Sequence, residues 1–329
     1  MAPERTLTVF CRAGLSNRLR LLVSGLAVAE ASGRAFRMVW PRNGSCGAGF
    51  AQLFANDWPV VDVETLDPAL AQYHVDGWSY RRAPSLLADP RPDIILGLNN
   101  WLVDPGQELP SSLVARCVEL FAELAPLPAM RDRIDEFRGR HFGPTVIGAH
   151  VRRGDFLRLR PDVAGNTTEV LAAVDRFLEE APAANIFLCT DDGATDRGRR
   201  CEEGVREVFR ARYGVRVVSS TPRSLNRRTV EAVQDAVADL WLLRATQMVV
   251  GTRGSSFSAL AVFGREVPHA FVGDGTPGYR RLERLVRPVG LHWLVRRLFR
   301  ALHGYDQPFP KAWRALTQGG LRARSGKRP

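Results

Sequence analysis

From Thr145 to Val272, short apolar runs alternate with amphipathic helical segments, and this alternation leaves the chain few architectures. Thr145 to Val151 reads as a strand and Ile186 to Thr190 as another. Between them, Thr168 to Glu180 reads as a helix with Val170, Leu171, Val174, Phe177 and Leu178 on one face. The series continues as a helix over Asp196 to Tyr213, a strand over Val215 to Ser219 and a helix over Thr229 to Thr246. It ends with a strand over Gln247 to Gly251, a short helix over Ser256 to Phe263 and a strand over Pro268 to Val272. Five strands with helices between them predict a parallel, doubly wound sheet. Such sheets bind ligands beyond the carboxyl ends of their strands, so the loops that follow strands are where chemistry is expected.

The first 40 residues repeat the pattern once. Thr6 to Cys11 is a β-rich run, and Ala13 to Asn17 is turn-like. Leu19, Leu22, Val23 and Leu26 then recur at helical spacing up to Gly33, and Ala35 to Trp40 is a second strand. Residues 41–60, rich in Gly, Pro and Asn, read as a long loop, and residues 60–110 show no clear periodicity. Helices are expected over Leu113 to Phe121 and Met130 to Phe137, separated by the breaker run Ala125 to Pro128. A length of 329 residues suggests about two domains. The expected division is 1–142, 143–279 and a basic tail over 280–329.

A formal net charge of +11 invites a nucleic-acid reading, but its distribution argues against one. Arg280 to Pro329 hold 13 basic and two acidic residues, so the preceding 279 residues balance 33 basic against 33 acidic side chains. No aromatic RNA-binding signature or zinc finger accompanies the charge, and no nucleic-acid partner is expected. Cys11, Cys46, Cys117, Cys189 and Cys201 form no C-x-x-C pair and have no His neighbour at metal spacing, which fits reduced thiols and no metal site. The first residues show no signal-peptide core, and no apolar run approaches the ~20 residues of a bilayer span. A cytoplasmic location is expected.

Three strand-to-loop junctions carry small or polar residues at the expected ligand edge. Gly14-Leu-Ser-Asn-Arg18 matches neither G-x-G-x-x-G nor a Walker A loop, and a Ser-capped helix start explains the same letters. His150-Val-Arg-Arg-Gly-Asp155 ends the Thr145 strand. Guanidinium forks match phosphate oxygens and keep their charge, so two arginines before a glycine turn suit a diphosphate. Strand alternation puts Arg152 on the His150 face and Arg153 on the other, which favours Arg152 as the ligand. The alternative is that Arg152 braces the loop by pairing with Asp155 or another carboxylate. Gly251-Thr-Arg-Gly-Ser-Ser-Phe-Ser258 leads from a strand into a helix. Its backbone N–H groups form an anion site, unless Ser255 or Ser256 simply caps the helix. Asp191 and Asp192 are adjacent and project to different sides, a poor metal pair, and Asp192 is expected to cap or face solvent.

Taken in order, these junctions resemble the motifs of the α-1,6-fucosyltransferases, shared in looser form with nodulation and protein O-fucosyltransferases. His150 to Asp155 is similar to the H-x-R-R motif. Asp239-Leu-Trp-Leu-Leu, Val249 to Thr252 and Ser255 to Ser258 are similar to the later Asp-bearing helix, apolar strand and serine pair, and Gly14 to Asn17 to the N-terminal glycine loop. Residues 60–140 and the tail show no match. The resemblance implies an α/β GT-B fold, two Rossmann-like domains facing a cleft, and inverting, metal-independent transfer of fucose from GDP-fucose to a glycan or glycoconjugate acceptor, without a cofactor. Carried onto this sequence, it implies Arg152 on the β-phosphate of the leaving GDP and Arg153 as a second cation. It further implies His150 and Asp239 on guanosine, Ser255 and Ser256 on phosphate, and Asn17 near the diphosphate or fucose. Two departures are visible: an additional residue separates Thr252 from Ser255, and the position of the family's candidate base falls near Arg160. Asp155 and Asp162 are the nearby acids, and Asp155 is read either as the base or as the group that orients Arg152.

Other readings stay open at this level: another GDP-sugar, a metal-dependent transferase using Asp191 and Asp192, or a binding module without catalysis. In the tail, a helix over Gly290 to His303 would place Leu291, Leu294, Val295, Leu298, Phe299 and Leu302 opposite Arg296, Arg297 and Arg300. Such a helix either docks on the body or lies on the inner face of an anionic membrane.

Overall fold

The computed structural model describes residues 5–65, 86–96, 110–154, 167–192 and 204–273. Asp155, Asp162, residues 196–203 and the 290–303 segment lie outside the described residues.

Two wholly parallel sheets organise the chain. The first has the order β2-β1-β3, from β1 (Thr6–Phe10), β2 (Ala35–Val39) and β3 (Asp93–Leu96). Helix α1 (Leu15–Ala31) crosses from β1 to β2 and packs against α2 (Ser111–Glu123). The second sheet comprises β4 (Val146–Val151), β5 (Asn185–Thr190), β6 (Val217–Val218), β7 (Met248–Thr252) and β8 (His269–Val272), in the order β6-β5-β4-β7-β8. Its crossover helices are α4 (Thr167–Glu180), α5 (Val205–Tyr213), α6 (Val230–Arg244) and α7 (Ser256–Val262). The GT-B expectation of two Rossmann-like halves agrees with this topology.

Strand alternation assigns the layers of the second sheet. Ile147, Ala149, Val151, Ile186, Leu188 and Val250 bury one face with Val170 and Val174 of α4 and Val205 and Phe209 of α5. Val146, Phe187, Cys189 and Val249 point to the opposite face, under α6, α7 and α3 (Pro128–His141). Helix α3 precedes the second sheet in sequence yet packs on α6, and its Phe137 ring lies 5.7 Å from Phe187. The two halves share a core: Phe121 of α2 lies 6.1 Å from Trp241 and 5.9 Å from Phe263, with the Arg244 guanidinium 4.6 Å above its ring. Each fully buried Leu, Ile, Val or Phe in these layers contributes roughly 1.5–3 kcal/mol.

Strand order reverses between β4 and β7. The chain runs outward from β4 through β5 to β6, then returns through α6 to place β7 and β8 on the other side. The crevice at the carboxyl ends of β4 and β7 is therefore the topological switch point, where such sheets bind ligands. Two glycines bring helices close to this edge. A Cβ on Gly148 would meet Leu243 Cδ1 and Thr246 Oγ1 at 2.6 Å, and one on Gly251 would meet Ser258 Cβ at 2.6 Å.

Three elements differ from the sequence expectation. β3 falls in the stretch without clear periodicity, where four residues are too few to show one. β6 is two residues long, because Gly214 (φ 60°) and a 3₁₀ turn over Gly214–Arg216 occupy the start of the expected strand, leaving Val215 97% exposed. The helix expected from Asp196 is described from Val205 onward. Among the described residues, no helix is long and apolar enough to cross a membrane.

Replacing Gly251 with Ala should force α7 away from the sheet and lower stability by about 1–3 kcal/mol in urea unfolding. An unchanged midpoint would contradict the close α7–β7 packing.

Candidate active site

At the end of β4, the His150 side chain is buried against α7. Its Nδ1 lies 2.7 Å from Ser258 Oγ, and its ring centroid is 4.8 Å from that of Phe257. Ser258 Oγ also accepts from the Thr252 backbone N–H at 3.1 Å. Burial pushes the His150 pKa down to about 3, and the nearby Arg152 cation acts in the same direction. Thr252 Oγ1 closes the β4–β7 junction by accepting from the Arg152 N–H at 2.9 Å and donating to the His150 carbonyl at 3.2 Å.

The arginines that follow converge on the end of β5. Val151 is in register with Thr190, so the next residues on the two strands, Arg152 and Asp191, are neighbours. Arg152 Nη1 donates to Asp191 Oδ2, and the Arg153 N–H donates to Oδ1 at 2.7 Å. Arg227, from the loop between β6 and α6, places Nη2 3.5 Å from the same Oδ2 that Arg152 meets. Arg153 Nη1 donates to Thr167 Oγ1 at 3.2 Å, and its Nε is 3.6 Å from Asp192 Oδ1. Asp192 Oδ2 accepts from the Val205 N–H at 2.7 Å, the α5 capping role expected of it. Glycine after Arg153 leaves room for the Asp191 carboxylate: a Cβ on Gly154 would come within 2.3 Å of Asp191 Oδ2.

Ser255 is the N-cap of α7, its Oγ accepting from the Ser258 N–H at 3.5 Å, and Ser256 opens the helix. Capping by Ser255 is thus present in the same loop that the anion reading invokes. Helix α1 meets the start of α7 where Arg20, in its second turn, donates Nη2 to the Ser256 carbonyl at 3.4 Å. Asn17 sits in the first turn of α1. Its loop is held by the buried Arg18, which donates to the carbonyls of Ala13 (2.5 Å), Pro41 (2.9 Å) and Arg12 (3.3 Å) and lies 5.1 Å from the Trp40 ring centre.

The structure therefore brings His150, Arg152, Ser255 and Ser256 to the carboxyl ends of β4 and β7, turns the Arg153 side chain toward Thr167 and Asp192, and sets the helix that carries Asn17 against the start of α7. Asp239 lies one strand away, accepting from Ser220 Oγ and from Cys189 Sγ at 3.6 Å. The Arg152–Asp191 pair is the carboxylate bracing that stood as the alternative to a ligand role; Asp155 lies outside the described residues. Sequence reasoning missed the roles of Thr252, Ser258, Asp191 and Arg227. The first two stood inside the quoted motif, and Asp191 had been weighed only as a metal ligand.

No family model matches the chain. Nodulation protein Z of Bradyrhizobium diazoefficiens is 37% identical over 82 residues, a match spanning 22% of this chain and 22% of that protein. The crystal structure of NodZ alpha-1,6-fucosyltransferase soaked with GDP-fucose matches with a TM-score of 0.54 at 20% identity, over 80% of this chain and 93% of that one. This chain has the NodZ fold. A further structure of fucosyltransferase NodZ from Bradyrhizobium matches at 0.55 and 21% identity, over 79% and 92% of the two chains.

Burial pushes the Asp239 carboxyl up to about 6, against the pull of its Ser220 and Cys189 donors. The folded state then holds a proton that the unfolded chain has released between about pH 4 and 6, so this group's contribution to stability falls as pH rises through that window. Asp239→Asn should gain about 1–3 kcal/mol relative to the parent between pH 4 and pH 8, read by urea unfolding. A pH-independent difference would contradict the raised pKa.

Proposed function

We propose that this chain is an inverting, metal-independent glycosyltransferase that moves fucose from GDP-fucose to a glycan or glycoconjugate acceptor. The observation that carries the reading is the convergence of three arginines, Arg152, Arg153 and Arg227, at the carboxyl ends of β4 and β5, beside the start of α7. In glycosyl transfer, negative charge develops on the leaving diphosphate, and preorganised cations and N–H donors stabilise it. In this reading Arg152 holds the β-phosphate, with Arg153 as the second cation and Ser255 and Ser256 on phosphate. His150 and Asp239 contact guanosine, Asn17 approaches from the other half, and Asp155 supplies the base or orients Arg152. The cationic set gives the leaving group charge compensation from side chains alone, while Asp191 and Asp192 are engaged by arginines. That a NodZ crystal was soaked with GDP-fucose, and another grown with GDP, supports the donor class.

The division of labour follows the two sheets: residues 1–142 on the acceptor side, 143–279 on the nucleotide side, and 280–329 as the basic tail. We place the enzyme in the cytoplasm, with the 290–303 segment either docked on the body or in contact with the inner membrane face.

Arg152→Ala should cut GDP-fucose hydrolysis and transfer by about 10²–10³ while the protein keeps its thermal transition, and the parent should keep full activity in excess EDTA. Near-normal turnover of the variant would overturn the assignment, and loss of parental activity in EDTA would favour a metal-dependent transferase.

A further inference from the structure

Arg227 belongs to none of the three motifs, yet its guanidinium reaches the centre of the arginine cluster. Arg152 and Arg227 approach the same oxygen, Asp191 Oδ2, from different loops. An anion that took the place of that carboxylate oxygen would meet both guanidiniums. The side chain of Arg227 is 37% exposed against 18% for Arg152, so Arg227 is the more solvent-facing of the two. Arg152, Arg153 and Arg227 meet at Asp191 and Asp192, and one Asp192 oxygen also accepts from the Val205 N–H.

The other half of the molecule holds the Arg227 main chain. The Gly47 N–H donates to the Arg227 carbonyl at 2.7 Å, and a Cβ on Gly47 would lie 2.0 Å from the Arg228 carbonyl oxygen. Asn226 and Thr229 tighten the same loop, with the Thr229 N–H donating to the Asn226 carbonyl at 2.9 Å and Thr229 Oγ1 capping α6. The position of this guanidinium thus depends on contact between the two halves, whereas Arg152 is fixed within the second sheet.

We infer that Arg227 is a third diphosphate-binding residue, contacting the same terminal phosphate as Arg152 and delivered by a loop that the N-terminal half holds in place. The inference rests on the donor reading above, and its test separates the two. Calorimetric titration of the full chain with GDP and GMP should show selective GDP binding by the parent. Arg227→Ala should weaken GDP about tenfold or more, the scale of a lost charge-assisted hydrogen bond, and leave GMP within about twofold. Arg227→Lys, which keeps the charge, should recover part of the loss and serves as the second variant if the alanine form does not fold. Equal weakening of GDP and GMP in either variant would make Arg227 a brace of the loop and overturn the inference. So would unchanged GDP affinity in both variants. A parent that binds neither nucleotide would instead remove the donor reading itself.

Discussion

The Asp191 carboxylate accepts from Arg152, from the Arg153 main chain and from Arg227, so one side chain ties the ends of β4 and β5 to the loop before α6. Everything proposed for the site depends on this convergence. A partly buried ion pair of this kind contributes little net stability, because desolvation offsets much of the Coulombic attraction. Its consequence is geometric: it aims guanidiniums at the crevice beyond the parallel strands, and it sets them in a region where water is already reduced and charge interactions are strong. A diphosphate offers the same oxygen acceptors with more charge.

The other wall of the crevice is built differently. His150, Ser258 and Thr252 form a buried polar network in which the imidazole is neutral, so this side adds no charge to the strand ends. Gly148 and Gly251 allow α6 and α7 to lie close enough for the network to close.

How much of this could be read in the sequence follows from what each feature needs. The β4–β8 series was legible because apolar runs and helical faces are local signals, and the boundaries agree to within a few residues at β4, β5, α6, β7 and α7. β3 was not, since Asp93–Leu96 is only four residues in an irregular stretch. His150, Arg152 and Arg153 were legible as a ligand-edge motif. The partner of Arg152 was not, because Asp191 lies 39 residues away and becomes a neighbour only through the β4–β5 register. Arg227 depends on a loop held by Gly47, 180 residues earlier, and no periodicity encodes such a contact. The net charge of +11 had no bearing on the site, whose arginines belong to a body that is neutral overall.

The most direct test of the account is a crystal structure of the full chain with GDP. The diphosphate should lie at the carboxyl ends of β4 and β7, with Arg152 on its terminal phosphate and the base on the His150 side. A nucleotide bound elsewhere, or a diphosphate out of reach of Arg152, would contradict it.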